Sequence, residues 1–262
     1  NSRIRPVVPS RKCVPSPARL TETLPLSAAL PEITHQSGTA DVPPTMEELA
    51  PDTTGFIYYR RHLAGPLTVP VALRLSQVND YAQVYLNGEY QGFRWRPDGR
   101  EPFMVSCGPE GVDLEILVEN CGRINYGPYV GRDRKGIAGF VSLELQIQTG
   151  GWEYRTLPLT QPPKSNYGIF NAAPGGAAFH RGSFEVSDIG ETFIATPGGK
   201  GVIWINGFNI GRYWKRGPQK RLYVPSPLLK PGRNEIVIFE LEKLDSAAIS
   251  FAAEPDLGAA SL

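Results

Sequence analysis

One nine-residue pattern occurs twice in this chain, and the repeat constrains the fold more than any single motif does. The two copies are VYLNGEYQG at residues 84–92 and IWINGFNIG at residues 203–211. In each copy alternating apolar residues run into Asn-Gly, the dipeptide that favours the positive φ angles of a type I′ turn. The repeat therefore predicts two β-hairpins at equivalent places in two related β-domains.

A second similarity follows each hairpin and sets the size of the repeating unit. LEILVEN spans residues 114–120 and NEIVIFELE spans residues 234–242, so that Glu119 lies 32 positions after Asn87 and Glu240 lies 34 positions after Asn206. A unit of this size is a domain and not a short solenoid repeat. Two domains of roughly 100 residues fit within the 262 residues of the chain.

The composition favours an all-β fold. The 28 glycines and 25 prolines mark many turns and leave little room for long helices. Continuous apolar runs such as IVIF at residues 236–239 indicate strands buried on both faces, and turn signals about ten residues apart are typical of sandwiches. We expect two antiparallel sheets packed face to face in each domain, although the pattern alone does not distinguish among Greek-key variants.

The expected domain organisation follows from proline, glycine and capping signals. Eight prolines without a sustained apolar period predict that residues 1–44 form an extended Pro-rich linker. The sequence TMEE, which begins at Thr45, matches a capping box and predicts a short helix. The expected segments after the linker are a first β-domain at 45–160, an interdomain loop at 161–178 and a second β-domain at 179–262.

Charge and hydropathy exclude several classes of partner. The chain has 27 basic and 26 acidic residues, so no attraction to nucleic acid is expected, and the RDRK cluster at residues 132–135 is interpreted as a solvated loop. No apolar run approaches the ~18 residues of a membrane helix, which predicts a soluble protein without membrane contact. The absence of Asn-x-Ser/Thr favours a bacterial source, cytoplasmic or periplasmic, with the compartment left open.

No catalytic, metal or cofactor site is predicted within the chain. The strand glutamates, of which Glu240 is one, are expected to be solvated or hydrogen-bonded and not to form the carboxylate pair of a glycosidase. Three histidines, expected in loops, and three cysteines fit no zinc-ligand spacing, and phosphate-binding loops are absent. Cys107 and Cys121 are either free thiols or, if their strands meet, a disulfide.

Two regions have the composition of a ligand contact. The sequence ENCGRINYGPY at residues 119–129 directly follows a core strand, and its Arg, Asn and Tyr offer hydrogen-bond donors and an aromatic face to a sugar. A well-bonded turn without a ligand is the alternative. Trp204 and Trp214 suggest either an aromatic surface for sugar or a wedge buried against the neighbouring domain.

Five ordered motifs resemble the C-terminal region of glycoside hydrolase family 35 β-galactosidases. The motifs are TMEELAPDTTGFIYYR at 45–60, VENCGRINYGPY at 118–129, WINGFNIGRYW at 204–214, GPQKRLYVP at 217–225 and NEIVIFELE at 234–242. In that family an N-terminal (β/α)₈ barrel carries the catalytic glutamates, and two jelly-roll domains similar to galactose-binding modules follow it. The resemblance implies that this chain comprises the two jelly rolls and the linker, and a barrel would need about 250 further residues.

The same resemblance assigns roles to residues. It implies that Tyr126 reaches the galactose pocket of the barrel, and that Arg123, Asn125 and Glu119 support the loop. The chain is then inactive alone, its partners are the barrel and a β-galactoside or galactose, and it needs no cofactor. A free-standing galactose-binding module is the main alternative, and homo-oligomerisation stays open.

Overall fold

The chain forms two compact β-units. The computed structural model describes residues 10–50, 53–98 and 101–258. One unit, named the central unit, comprises Leu30–Leu159, and the other, the terminal unit, comprises Asn1–Ala29 together with Thr160–Leu262. Each unit is built from antiparallel strands, which confirms the predicted all-β sandwich class.

The secondary structure is dominated by short strands. Strands of the first part are β1 (Ala18–Pro25), β2 (Gln36–Ala40), β3 (Phe56–Leu63), β4 (Leu67–Leu75), β5 (Val78–Asn79), β6 (Tyr81–Leu86), β7 (Glu89–Trp95), β8 (Phe103–Cys107), β9 (Val112–Glu119), β10 (Gly136–Ile137), β11 (Val141–Leu143), β12 (Gln146–Ile147) and β13 (Trp152–Leu157). Strands of the second part are β14 (Gly168–Ile169), β15 (Ala178–Val186), β16 (Thr192–Ala195), β17 (Lys200–Ile205), β18 (Phe208–Trp214), β19 (Arg221–Val224), β20 (Gly232–Glu240), β21 (Ala248–Ile249) and β22 (Phe251–Ala252). The helices are α1 (Leu26–Ile33), α2 (Met46–Leu49) and a 3₁₀ turn (Ser226–Leu228).

The central unit is a sandwich of two principal sheets. A six-stranded sheet has the order β2-β13-β3-β9-β6-β7, and a four-stranded sheet has the order β12-β11-β4-β8. The short pair β10-β5 lies apart from both sheets. Buried side chains from the two sheets form one core, in which Val84, Ile116 and Trp152 of the first sheet meet Leu73 and Val105 of the second. Burial of these side chains is the main stabilising contribution.

The terminal unit repeats this arrangement. Its large sheet has the order β14-β1-β15-β20-β17-β18, with β21 paired to β1, and its small sheet has the order β19-β16-β22. Ile203 and Ile238 of the large sheet pack with Ile194, Leu222 and Phe251 of the small sheet. The strands β15-β20-β17-β18 thus occupy the places that β3-β9-β6-β7 occupy in the central unit.

Both copies of the repeated pattern form the predicted type I′ hairpins. The φ angles are 49° at Asn87 and 79° at Gly88, and 49° at Asn206 and 81° at Gly207. Positive φ at both central positions is the requirement of this turn.

The two turn asparagines also hold the adjacent strand. The Asn87 Oδ1 atom accepts a hydrogen bond of 2.9 Å from the backbone amide of Asp113, and the Asn206 Oδ1 atom accepts one of the same length from Glu235. The repeat therefore specifies a contact to a third strand as well as a turn.

The strand register changes one residue equivalence between the two copies of the repeat. Ile116 pairs with Val84 in the central unit, and Ile238 pairs with Ile203 in the terminal unit. Counting from these pairs, the counterpart of Glu119 is Leu241 and not Glu240. Side chains alternate across a strand, so a shift of one residue exchanges the buried and exposed faces.

The predicted Pro-rich linker is wrong for residues 18–40. Ala18–Pro25 forms β1 within the large sheet of the terminal unit, where it pairs with β15 and β21. Ala18, Leu20 and Leu24 are buried, so the segment has the alternation of a half-buried strand. Pro15 and Pro17 precede this strand and Pro25 is its last residue, so no proline interrupts it. Residues 1–9 of the predicted linker lie outside the described residues.

The unit boundaries also differ from the sequence expectation. The central unit begins at Leu30, within α1, and not at residue 45. Residues 161–178, predicted as an interdomain loop, contain β14 and the start of β15 and belong to the terminal unit. The short helix predicted at Thr45 is present as α2, with Glu48 Oε2 accepting a hydrogen bond of 2.8 Å from the Thr45 amide.

Burial shifts the pKa values of His180 and Glu240 in the terminal unit. His180 is in β15 and not in a loop as predicted, and burial lowers its pKa to about 4. Burial raises the pKa of Glu240 to about 7, although hydrogen bonds from the Tyr213 hydroxyl and two backbone amides act in the opposite direction. Glu240 is therefore a hydrogen-bonded structural carboxyl, as expected from the sequence.

Replacing Glu240 by glutamine is expected to change how stability depends on pH. The pKa of Glu240 is raised from 4.5 to about 7, so the fold favours the protonated carboxyl, and stability present below pH 4.5 is lost as the pH rises to about 7. At 1.36 kcal/mol per pH unit this loss is about 3 kcal/mol. Glu240→Gln removes it, since an amide carries no charge.

Urea unfolding at pH values from 4.5 to 8 measures this effect as the difference in the free energy of unfolding between the variant and the wild type. Glu185→Gln is the matched control, because Glu185 is an exposed carboxyl on the neighbouring strand β15 and does not contribute to the pKa shift of Glu240. A difference for Glu240→Gln that stays constant over this pH range would contradict the assignment of a neutral buried carboxyl.

Candidate functional site

The candidate site is the loop between β9 and β10, residues 120–135, named the tyrosine loop. It leaves the end of a central strand of the six-stranded sheet. Four apolar side chains at its tip are exposed to solvent: Ile124, Tyr126, Tyr129 and Val130. Tyr126 is 90% exposed, which is exceptional for an aromatic side chain.

The entry of the tyrosine loop is fixed by backbone hydrogen bonds. The Asn120 amide donates to the carbonyl of Gly55, and Asn120 Oδ1 accepts a hydrogen bond of 2.9 Å from the Gly122 amide. The next amide, that of Cys121, donates to Asp80 Oδ2 at 2.9 Å. These bonds define the direction in which the chain leaves the sheet.

Arg123 and Glu47 connect the two ends of the loop. The Nε and Nη2 atoms of Arg123 donate to Glu47 Oε1 at 3.1 and 2.6 Å, and Nη2 also donates to the carbonyl of Thr53. The second carboxylate oxygen of Glu47 accepts a hydrogen bond of 2.8 Å from the Lys135 amide. One carboxylate on α2 therefore holds both the start and the end of the tyrosine loop.

A buried ion cluster lies at the exit of the loop. Lys135 is 1% exposed, and its Nζ atom lies 2.8 Å from Asp80 Oδ2 and 2.8 Å from Asp133 Oδ2. Arg96 Nη1 lies 2.7 Å from Asp133 Oδ1 and 3.3 Å from Asp80 Oδ1. Burial acts to raise the pKa of Asp133, but hydrogen bonds from Lys135 and Arg96 outweigh it, and the pKa is lowered. Two cations thus balance two carboxylates.

The residues predicted from the loop motif lie together. Glu119 is the last residue of β9 and is buried, Arg123 binds Glu47, and Asn125 and Tyr126 are exposed at the tip. The ion cluster was missed, because the RDRK segment was interpreted as a solvated loop. No local sequence signal marks this cluster, because Asp80 lies 55 residues before Lys135 and only the fold brings the two together.

The two tryptophans considered as an aromatic surface of the terminal unit differ in exposure. Trp204 has no exposed surface, and its ring packs against Phe179 of the same unit with centroids 6.2 Å apart. Trp214 is partly buried, and the Nζ atom of Lys200 lies 4.3 Å from its ring centroid. Burial excludes the sugar-surface alternative for Trp204, because its side chain has no exposed face, whereas the role of Trp214 stays a prediction.

In the part of the chain that the structure describes, neither a metal-ligand group nor a membrane-spanning helix occurs. Among residues 10–50, 53–98 and 101–258, no group of three His, Cys, Asp or Glu side chains is placed to hold a metal ion. Over the same ranges, no helix has the length and apolar character needed to cross a membrane. Cys13, Cys107 and Cys121 are free thiols, so the alternative of a disulfide is not realised.

Comparison with known proteins identifies both units. The family model for the first all-beta domain of beta-galactosidase matches residues 43–159, and the model for the galactose-binding domain of beta-galactosidase matches residues 177–234. The chain belongs to the beta-galactosidase family. The resemblance drawn from the five sequence motifs is thereby confirmed, and the two units are non-catalytic domains of this family.

Relatives of the beta-galactosidase family support the assignment over most of the chain. Beta-galactosidase 1 of Dictyostelium discoideum is 34% identical over 220 residues, which are 76% of this chain and 32% of the relative. The beta-galactosidase of Xanthomonas manihotis is 37% identical, covering 70% of this chain and 30% of the relative. Beta-galactosidase 17 of Arabidopsis thaliana is 32% identical, and the match covers 92% of this chain and 39% of the relative. The relatives include eukaryotes, so a bacterial source stays a prediction.

The chain spans about a third of the length of these beta-galactosidases. Among solved structures, a beta-glucuronidase from glycoside hydrolase family 2 is similar with a TM-score of 0.34 and 13% identity, covering 91% of this chain and 28% of that one.

Proposed function

We propose that this chain is the C-terminal, non-catalytic part of a retaining exo-β-galactosidase, which removes terminal β-linked galactose. In this proposal its two β-units pack on an N-terminal (β/α)₈ catalytic domain, and Tyr126 supplies one wall of the substrate pocket. The observation that carries the proposal is a tyrosine that is 90% exposed at the tip of a loop whose base is held by a buried ion cluster.

The exposed tip favours contact with another surface. Ile124, Tyr126, Tyr129 and Val130 are each more than a third exposed within eight residues of sequence. Clustered apolar groups in water mark interaction sites, whereas single exposed ones are common. A catalytic domain that covers this tip would remove the apolar surface from water.

The chemistry of tyrosine suits a galactose pocket. Its ring can cover the apolar face of a pyranose, and its hydroxyl can both donate and accept a hydrogen bond. A loop fixed at both ends by Glu47 holds these groups without large loss of conformational entropy on binding. The catalytic contribution of the chain is then the positioning of substrate, which can be worth orders of magnitude in rate.

The proposal predicts that this chain alone does not hydrolyse an aryl β-galactoside, whereas the full-length enzyme does. The assay uses 4-nitrophenyl β-galactoside, and circular dichroism confirms that the isolated chain is folded. Turnover by the isolated chain would contradict the proposal. Millimolar or tighter binding of galactose by the isolated chain would instead support a free-standing galactose-binding module.

A further inference from the structure

Two adjoining cavities lie beside the base of the tyrosine loop and together form a feature named the arginine cleft. Their volumes are about 540 and 430 Å³, and they share the lining residues Gln77, Asn79 and Arg96. Volumes of this size are typical of small-molecule sites in proteins. The cleft belongs entirely to the central unit.

The lining of the arginine cleft combines aromatic rings with carboxamides. Trp95 and Phe140 line the first cavity, and Phe140 is 46% exposed. Tyr129 of the tyrosine loop lines the second cavity. Gln77 and Asn79 lie where the two cavities meet. Rings that cover apolar C–H faces, together with amides that bond hydroxyls, are the groups that recognise a saccharide.

Cationic side chains outnumber carboxylates in the lining of the cleft. Its lining includes four arginines and two aspartates: Arg94, Arg96, Arg132, Arg134, Asp98 and Asp133. Asp133 is already ion-paired with Lys135 and Arg96. Arg96 makes both of its ion pairs through Nη1, and its side chain is 41% exposed. The Nε and Nη2 atoms take no part in these two ion pairs, and such donors can bind a carboxylate or sulfate group of a ligand.

A buried amide oxygen beneath the cleft lacks a donor. Asn79 is 2% exposed, and its Nδ2 atom donates a hydrogen bond of 2.6 Å to the carbonyl of Arg134. Within the described part of the chain, its Oδ1 atom has no hydrogen-bond partner. An unsatisfied buried acceptor is destabilising, and each one in a native structure calls for an explanation. A ligand hydroxyl, reaching this oxygen directly or through a water molecule, would supply the donor.

We propose that the arginine cleft binds an acidic saccharide, that is, one carrying a carboxylate or sulfate group. The acidic group lies against Arg94 and Arg96, a sugar ring packs on Trp95, and hydroxyls bond to the carboxamides of Gln77 and Asn79. Tyr126 itself does not line this cleft, and the proposed binding does not require the catalytic domain.

The test compares two ligands that differ only in charge. Lactobionate and lactitol are both β-galactopyranosides with an open-chain aglycone, but the aglycone of the first carries a carboxylate where that of the second carries a hydroxymethyl group. Isothermal titration of the isolated chain at low salt is expected to give at least about tenfold tighter binding of lactobionate, with the difference shrinking as salt is added. Equal binding of the two ligands, or no binding of either, overturns the proposal.

Three arginine variants locate the site. Arg94→Gln and Arg96→Gln are each expected to remove most of the preference for lactobionate. Arg94→Gln leaves the ion cluster intact, so it remains informative if Arg96→Gln lowers stability. Arg74→Gln is the matched control, because Arg74 is exposed in the same unit and does not line the cleft. A preference that survives Arg94→Gln, or that is lost equally in Arg74→Gln, contradicts this location.

Discussion

Replacing Lys135 by methionine is expected to lower the free energy of unfolding of the central unit by about 3–5 kcal/mol. Lys135 is 1% exposed and is paired with Asp80 and Asp133, whose side chains are 10% and 4% exposed. Methionine fills a similar volume but supplies no charge. Two nearby carboxylates are then left with Arg96 as their shared cation, and the cost of burying a carboxylate is no longer offset.

Arg134→Met is the matched control for this effect. Arg134 is the preceding residue, and its ion pair with Glu48 is exposed, with side chains 59% and 53% exposed. An exposed pair contributes about 0–1 kcal/mol, so the control is expected to change stability by no more than that. Urea unfolding followed by circular dichroism measures both variants, and amide hydrogen exchange identifies the unit that opens. Equal effects of the two substitutions would show that the buried cluster does not stabilise the central unit.

The fold was predictable where local chemistry decides it. The two Asn-Gly turns need positive φ angles at adjacent residues, and this requirement is readable from the sequence. The short helix at Thr45 was predictable for the same reason, since its capping box involves residues three positions apart. Alternation of apolar residues then indicated the sheets, because one face of each strand must be buried.

The fold was not predictable where distant segments decide it. Strand β1 joins the terminal unit by pairing with β15, more than 150 residues away. The density of prolines in residues 1–44 predicted an extended linker, but hydrogen bonding to β15 makes Ala18–Pro25 a strand. Trp204 was equally ambiguous, since an aromatic residue on a strand can face solvent or core, and the burial of its ring against Phe179 decides the outcome.

The candidate site shows the same division. The motif around Tyr126 could be recognised from consecutive residues, together with the hydrogen-bonding capacity of Arg123. The residues that hold this loop could not be recognised from the sequence, because Glu47, Asp80 and Arg96 come from other elements of the fold. Sequence reasoning therefore located the tip of the loop, and the structure explains what holds it in place.

In the full-length enzyme, Tyr126→Ala is expected to lower kcat/KM for 4-nitrophenyl β-galactoside by about 100-fold. The substitution removes an aromatic pocket wall and a hydroxyl contact, and a loss of both positioning and one hydrogen bond has this magnitude. Tyr126→Phe removes the hydroxyl alone and is expected to lower kcat/KM by about tenfold. Because Tyr126 is 90% exposed in this chain, neither substitution is expected to change the stability of the central unit appreciably.

Phe140→Ala serves as the matched control, because Phe140 is an aromatic side chain of the same unit that is 46% exposed and lies outside the tyrosine loop. Its effect on kcat/KM is expected to stay within about threefold, since hydrolysis of a neutral aryl galactoside does not need the arginine cleft that Phe140 lines. The measurement that tests the central claim most directly is the ratio of kcat/KM between Tyr126→Ala and wild-type full-length enzyme. The account predicts a ratio near 0.01, on the order expected for lost substrate positioning, whereas a ratio near one, or an equal loss in Phe140→Ala, would contradict it.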